Sequence, residues 1–352
     1  MNPDPSLLVV PRVVLPQKRI RHITVIYNVV QNLNYGEKED LLADEDTVST
    51  AREIFTTLKE SGFAVDLFEL NEQTVGKIFE LKTDLIFNLA YGIGSVTKTE
   101  AEVVKILEKS QLPFTGAGSR AIILTTDKVA TKKKFIDNNI PTPKFQIFVS
   151  PEDQLEPQLK FPLIVKPKGE DCSLGIHNNS VVISKAGLGE RLEYLIRTYR
   201  EPLLVEEYIE GRELNITIIG NNSHAKVLPI SEIIFGSSFK IEKKWKIVDF
   251  EAKWLKQSDS YKDTPGVCPA DLDVIIEQKI KELVLKAYKK CGCRDYARID
   301  VRLGTDNTPF FLEVNLNPGI GPTDGAIRSA KAAGYDYQSF LKEIVKTASA
   351  RL

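Results

Sequence analysis

Two neighbouring segments near the C-terminus hold residues whose types and spacing could do chemistry. RDYARIDVRL (residues 294–303) is followed, across the turn residues GTDNTP, by PFFLEVNLNPG (residues 309–319). Both are apolar enough to read as buried strands. Yet Arg298, Asp300 and Arg302 recur at every second position of the first, and Glu313 and Asn315 at every second position of the second. Alternate residues of a strand share a face, so a hairpin would set Asp300 beside Glu313 and Asn315. Buried charge needs a partner or a metal. Three hard oxygen donors with no histidine or thiolate suit Mg²⁺, which keeps waters and is completed by substrate phosphates. A plain ion pairing of Arg298 with Asp300 and Glu313 explains the same residues, and these two segments alone do not separate the readings.

Upstream lie elements suited to phosphate. FPLIVKPKGEDCSLGI (residues 161–176) places Lys166 at the end of an apolar strand and follows it with a polar, glycine-containing loop. A lysine there neutralises phosphate oxygens, and Ser173 with nearby backbone N–H groups can cover them. The loop lacks the G-x-x-x-x-G-K-[ST] order of a P-loop, and the kinase H-R-D and D-F-G marks are absent. EPLLVEEYIEGRE (residues 201–213) runs an apolar strand into Glu206 and Glu207, then Ile209 and Glu213. Such a strand-to-linker passage can grip an adenine edge, with a carboxylate beyond it for ribose hydroxyls. Taken singly, an ordinary turn explains the lysine and surface charge explains each glutamate; their order carries more weight than any one of them.

The elements that must position these residues follow from periodicity. RHITVIYNVV (residues 21–30), AVDLFEL (64–70) and TDLIFNLA (83–90) read as strands, and DEDTVSTAREIFTTLKESGF (44–63) and EAEVVKILEKSQL (100–112) as helices. Gly62 is a stop signal for the first helix, and Val103, Val104 and Leu107 share one face of the second. This β-α-β alternation predicts an open, mainly parallel sheet to about residue 120. TTDKVATKKKFIDNN reads as a capped helix ending before Pro141, with the lysines of TKKKF (131–135) on a solvated face. Short strands around the helix GLGERLEYLIRTYR come next. A polar insertion (243–266), a long helix (273–292) and the two strands of the opening paragraph complete the pattern.

The fold class expected is α/β, with an N-terminal open parallel-sheet domain and two α+β subdomains that grip a nucleotide. The expected divisions are an N-terminal arm at 1–20, the α/β domain at 21–127, a central subdomain with the phosphate loop at 128–210, and a C-terminal subdomain at 211–352. With 352 residues, more than one core is expected. A formal charge of −1, with 42% hydrophobic and 27% charged residues, gives no global pull toward nucleic acid or anionic membrane, while leaving room for a local basic pocket. The apolar runs are strand-length, far from the roughly 20 residues of a membrane span. The first twenty residues lack the order of a signal peptide, so a cytoplasmic location is expected. Cys172, Cys268, Cys291 and Cys293 form no zinc pattern and read as reduced thiols; His22, His177 and His224 read as surface or packing residues.

In sequence order, Lys128, Lys166 with its loop, VEEYIEGRE, FEAKW, CPADL, GCRDYARIDVRL and FFLEVNLNPG resemble the ATP-grasp ligases, and among them the D-alanine–D-alanine ligase family. The resemblance runs from about Ile23 to the C-terminus and includes LPFTGAGSRAIILTTDK. It implies that Lys128 and Lys166 contact ATP phosphates under a flexible loop spanning Ser173 to Gly175. Glu206, Glu207 and Ile209 would take the adenine and Glu213 the ribose. Asp300, Glu313 and Asn315 would hold two Mg²⁺ ions, with Mn²⁺ as a substitute. Arg298, Gly319 and Lys253 would stand at the reacting centre. The implied activity is ATP-dependent joining of a small carboxylate and an amine, amino acids or small peptides, through an acylphosphate. No protein nucleophile is required, and nucleic acid and membrane are not expected partners. A homodimer stays open.

The departures cluster where substrates would sit. Glu45 is the counterpart of an N-terminal family glutamate. Cys172 stands where the family has a serine, and Trp254 replaces a tyrosine after Lys253. NLAYGIGSVTKTE (residues 88–100) replaces the HG…GGEDG region. Asp324 matches the serine that receives the second substrate's carboxylate, and one carboxylate repels another. Either Asp324 points away or the acceptor presents another group there, such as an amine. The expectation is therefore a ligase of altered specificity. A true D-alanine–D-alanine ligase of cell-wall synthesis, a non-catalytic ATP-binding regulatory protein, and an ATP-grasp kinase are the alternatives.

Overall fold

The computed structural model describes residues 19–33, 35–96 and 99–352, with the side chains of 43–46 outside that description. The expected N-terminal arm therefore lies outside the described residues but for its last two. The first region contains β1 (His22–Tyr27), α1 (Leu42–Glu60), β2 (Ala64–Glu69), β3 (Leu85–Asn88), α2 (Glu100–Ser110) and α3 (Ser119–Thr126). Its strands form a parallel sheet in the order β2-β1-β3. Gly62, just past α1, has φ +89°, a left-handed conformation that ends a helix at least cost in glycine. Val103, Val104 and Leu107 are the buried stripe of α2.

The middle region begins with α4 (Lys128–Ile136), capped by Asp127, whose side chain accepts from the Val129 and Ala130 N–H groups. β4 (Phe145–Phe148), β5 (Leu163–Pro167), β6 (Val181–Val182), α5 (Lys185–Tyr199) and β7 (Leu203–Glu207) follow. These strands form an antiparallel sheet in the order β4-β7-β5-β6, with Phe148, Leu163, Leu192 and Leu203 in its core beneath α5.

The last region starts with β8 (Gly211–Ile219), β9 (Lys226–Val227) and β10 (Ser231–Ile233). The polar insertion folds as three short helices, α6 (Ser237–Ile241), α7 (Phe250–Trp254) and α8 (Asp259–Lys262), before β11 (Gly266–Val267). Then come α9 (Val274–Lys290), β12 (Tyr296–Gly304), β13 (Pro309–Asn315), α10 (Gly325–Ala332) and α11 (Tyr337–Ser349). The second antiparallel sheet has the order β11-β10-β8-β12-β13, with β9 also on β8.

Ile86 and Val104 of the first region share one core with Ile216, Ile299 and Phe311 of the last. Phe340 and Ile344 of α11 share another with Ile54 and Leu58 of α1. The first and last regions are thus packed on common hydrophobic ground, while the middle sheet keeps its own core. A cleft lies between the middle sheet and the large antiparallel sheet. α4 borders it, packed on β13 through an edge-on contact of Phe135 with Phe311 at 5.7 Å.

The solvated lysine face expected on α4 is corrected here. Lys133 is exposed, but Lys128 and Lys132 are buried, Lys132 to 1% exposure. Positions 128, 132 and 135 are spaced i, i+4, i+7 and share one helical face. The stripe that seats Phe135 in the core therefore carries both ammonium groups inward.

Candidate active site

Ladder register sets the large sheet's polar face. Arg298 pairs with Asn315 and Asp300 with Glu313 across β12 and β13. On the other side, Asp300 pairs with Asn215 and Arg302 with Glu213 of β8. Strand alternation then puts Glu213, Asn215, Arg298, Asp300, Arg302, Glu313 and Asn315 on one side. Asp300 opposes Glu313 while Val301 opposes Phe311, so Leu312 is an extra residue, a β-bulge next to the polar cluster.

The cluster is closely bonded. The Arg298 guanidinium donates through Nε and Nη2 to the two oxygens of Asp300, each at 2.8 Å, a bidentate pair. Asn215 Nδ2 donates to Asp300 Oδ1 at 2.8 Å. Asn315 Nδ2 donates to Asp300 Oδ2 at 3.0 Å and to Glu313 Oε1 at 3.2 Å. Burial raises the Asp300 carboxyl, and the Glu313 charge pushes it the same way against the pull of Arg298. Burial would also raise Glu313, but Lys128, Arg298 and Lys166 outweigh it and hold that carboxyl well below the usual carboxylate range.

These residues fit a divalent cation. They comprise two converging carboxylates and an amide whose oxygen reaches the same space when the group turns over. Among the described residues no group of three or more His, Cys, Asp or Glu has metal-binding geometry, so the amide is a necessary member of the set.

On the opposite wall, Glu206 of β7 is 1% exposed and lies between two lysines. Lys166 Nζ reaches Oε1 and Lys132 Nζ reaches Oε2, both at 2.6 Å. Burial acts to raise the Glu206 carboxyl, and the two ammonium groups hold it at about 2. Lys132 also donates to Thr142 Oγ1 at 2.8 Å. Lys128 donates to the Glu170 carbonyl and to Asp171 Oδ1 at 2.8 Å, tying α4 to the loop after β5. Glu213 pairs with Arg302 at 3.0 Å, and Arg302 Nη2 donates to the Ile209 carbonyl at 2.9 Å. Glu207 and Ile209 lie where β7 passes into β8.

The loop after β5 reaches across the cleft. Ser173 Oγ donates to the Val248 carbonyl at 2.9 Å, and the Trp254 indole N–H donates to the Cys172 carbonyl at 2.9 Å. Cys172 and Ser173 have φ +57° and +64°. Gly175, at φ +67°, packs its Cα where a Cβ would lie 2.7 Å from Tyr199 Cε2, so only glycine lets the loop lie flat on α5. Lys253 Nζ sits 5.2 Å from the Trp254 ring. Past β13, Asp324 Oδ2 accepts from the Gly321 N–H at 2.7 Å and lies 2.6 Å from where a Cβ on Gly319 would be. Its carboxylate is turned onto its own loop.

Together these walls enclose a cavity of about 780 Å³, within the range of small-molecule sites. All the residues proposed from sequence line it except Gly175, the loop residue packed against Tyr199 of α5, and Glu45, whose side chain lies outside the described residues. Sequence reasoning missed several others. Lys132 and Asn215 line the cavity, as do Tyr91 and Glu100 from the segment that departs from the family pattern. Glu100 accepts from Asn317 Nδ2 at 2.7 Å, and burial pushes its carboxyl up to about 8. Tyr91 donates to the Asn317 carbonyl at 2.9 Å. The i, i+2 pair Glu213 and Asn215 was a visible signal of the kind that revealed Glu313 and Asn315; nothing in sequence joins Glu100 to Asn317.

Residues 135–346, more than half of the chain, match the family described as D-ala D-ala ligase C-terminus. An uncharacterized protein, y4sG, of Sinorhizobium fredii is 33% identical over 76% of this chain and 75% of its own length. A D-alanine–D-alanine ligase of Fervidobacterium nodosum is 30% identical over 88% of this chain and 96% of its own. The crystal structure of D-alanine–D-alanine ligase from Bacillus anthracis complexed with ATP superposes with a TM-score of 0.73 at 25% identity, covering 95% of this chain and 98% of that one. The chain belongs to the D-alanine–D-alanine ligase family, ATP-grasp ligases that form a C–N bond with cleavage of ATP.

Proposed function

We propose that the protein joins a small carboxylic acid to an amine, with amino acids or small peptides as substrates and a specificity that differs from D-alanine with D-alanine. The observation that carries this reading is the facing pair of walls. Lys128, Lys132 and Lys166 stand on one side, and Arg298 with Asp300, Glu313 and Asn315 on the other. The triphosphate of ATP would run between them, its adenine against Glu206, Glu207 and Ile209 and its ribose at Glu213. Asp300, Glu313 and Asn315 would hold two Mg²⁺ ions, with Mn²⁺ as a substitute. Bound there, the cations would offset the charge of the phosphate oxygens. The chain would divide into an N-terminal domain at 21–127, a central nucleotide-gripping subdomain at 128–210 and a C-terminal subdomain at 211–352.

A carboxylate is a poor acyl donor because oxide is its leaving group. When its oxygen takes the γ-phosphoryl group, ADP leaves and the acyl carbon gains a phosphate as leaving group. The amine then attacks, and phosphate departs with the former carboxylate oxygen. Arg298 would neutralise charge on the transferring group, and the backbone N–H of Gly319 would face the oxyanion. The loop carrying Cys172 and Ser173 would keep water from the acylphosphate. Replacement of serine by Cys172 and of tyrosine by Trp254 supports an altered acid pocket. ADP release from a panel of amino acids and dipeptides tests the reading. Release that needs both an acid and an amine supports it. Release with a single acid, leaving a stable phosphorylated product, would favour a kinase.

A further inference from the structure

The inference concerns the acceptor and rests on the ligase reading above. Asp324 stands near the start of α10, where a second substrate's carboxylate would meet a like charge. One turn further along that helix is Arg328, which lines the same cavity. Its Nε donates to Ser231 Oγ of β10 at 2.7 Å. Its guanidinium lies flat over β11, where a Cβ on Gly266 would fall 1.9 Å from Cζ. A Cβ on Gly325 would lie 3.3 Å from Arg328 Nη2 and 3.7 Å from Asn215 Oδ1, so the absent side chain keeps a passage open from the guanidinium to the Asn215–Asp300 pair. Among the described residues, the two Nη groups of Arg328 have no hydrogen-bond acceptor.

Arg298 and Arg328 thus face one cavity under different conditions. Arg298 is satisfied by Asp300, and Arg328 has donors to spare. A half-buried guanidinium with unused donors is a receptor for a planar anion. In an α-amino acid the carboxylate lies two bonds from the attacking nitrogen, so an amine brought toward Arg298 and Gly319 carries its carboxylate into the passage past Gly325. The Asp324 carboxylate is meanwhile held by the Gly321 N–H. We infer that Arg328, one turn beyond the position where Asp324 replaces the family's serine, receives the acceptor's carboxylate and is the specificity-determining residue for the second substrate.

The test compares the best-used amino-acid acceptor with its own carboxamide, in the wild-type chain and in Arg328→Gln and Arg328→Lys. The wild-type KM is expected to be roughly tenfold to a hundredfold lower for the free acid than for the amide, the range of a charge-assisted contact. Arg328→Gln should raise the KM for the amino acid by a similar factor and that for the amide by less than about twofold, with Arg328→Lys between. KM for ATP is read alongside and should not follow. The inference is overturned if the wild-type protein uses acid and amide equally, or if Arg328→Gln raises both acceptor KM values together. If Arg328→Gln fails to fold, the wild-type ratio and Arg328→Lys decide. If no acid and amine together release ADP with the wild-type chain, the ligase reading falls and takes this inference with it.

Discussion

Asp300 and Glu313 face each other across the β12–β13 ladder, the first buried and the second half-buried, with Asn315 donating to both and Arg298 paired with Asp300. Packed alone, such a pair destabilises the fold through repulsion. Its place in the cavity, opposite Lys128 and Lys166, makes it an electrostatic seat for a cation carrying phosphates.

Glu313→Gln keeps the shape of the side chain and removes its charge. Turnover should fall by roughly a hundredfold to a thousandfold, in line with the loss of a group that stabilises a charged transition state. Arg298→Ala should do at least as much. Steady-state ADP release, with circular dichroism to confirm folding, checks both; unaltered turnover in the two variants would mean that the reacting centre lies elsewhere.

Glu206 and Lys132 form an ion pair with almost no solvent exposure. Glu206→Gln leaves that ammonium without a charged partner and should lower stability by about 3–5 kcal/mol, read as a drop in the denaturation midpoint. The pH dependence follows from the sign of the shift. The folded carboxyl is held at about 2 against an ordinary 4.5, so its contribution is present above pH 4.5 and is lost as pH falls toward 2. The gap between wild type and variant should shrink over that interval.

Trp254 ties the loop to α7 through one hydrogen bond to Cys172. Trp254→Phe should weaken nucleotide binding by roughly twofold to tenfold, the worth of a net hydrogen bond of about 0.5–1.5 kcal/mol. Calorimetric titration with ADP and Mg²⁺ measures it. An unchanged Kd would show that this bond does not hold the loop over the nucleotide.

Asp324→Asn keeps an acceptor for the Gly321 N–H and removes the negative charge. KM for carboxylate-bearing acceptors should fall by a few-fold, since a repulsion is lost, while KM for their amides should not change. An identical response of the two acceptor classes would show that the Asp324 charge is not felt at the acceptor.

Much of this site was legible in sequence because strand periodicity is short-range. The i, i+2 spacing of Arg298 with Asp300 and of Glu313 with Asn315 needs only a hairpin to become a shared face. The bulge at Leu312 leaves that pairing intact. The rest depends on contacts between distant segments. Lys132 sits in a run of three lysines that reads as solvated, and only the seating of Phe135 against Phe311 shows which lysine turns inward. Glu37 receives hydrogen bonds from Tyr194 and His177 of the middle region, a link across more than a hundred residues that no local pattern announces. α11, for which the sequence reading named no element, lies against α1.

The most direct test follows the oxygen. With the acid that best supports turnover labelled in its carboxylate with ¹⁸O, the phosphate released should carry one labelled oxygen, and the amide product should keep the other, both read by mass spectrometry. Unlabelled phosphate would contradict transfer of the γ-phosphoryl group to the acid, and with it the assignment of this cavity to carboxylate–amine ligation.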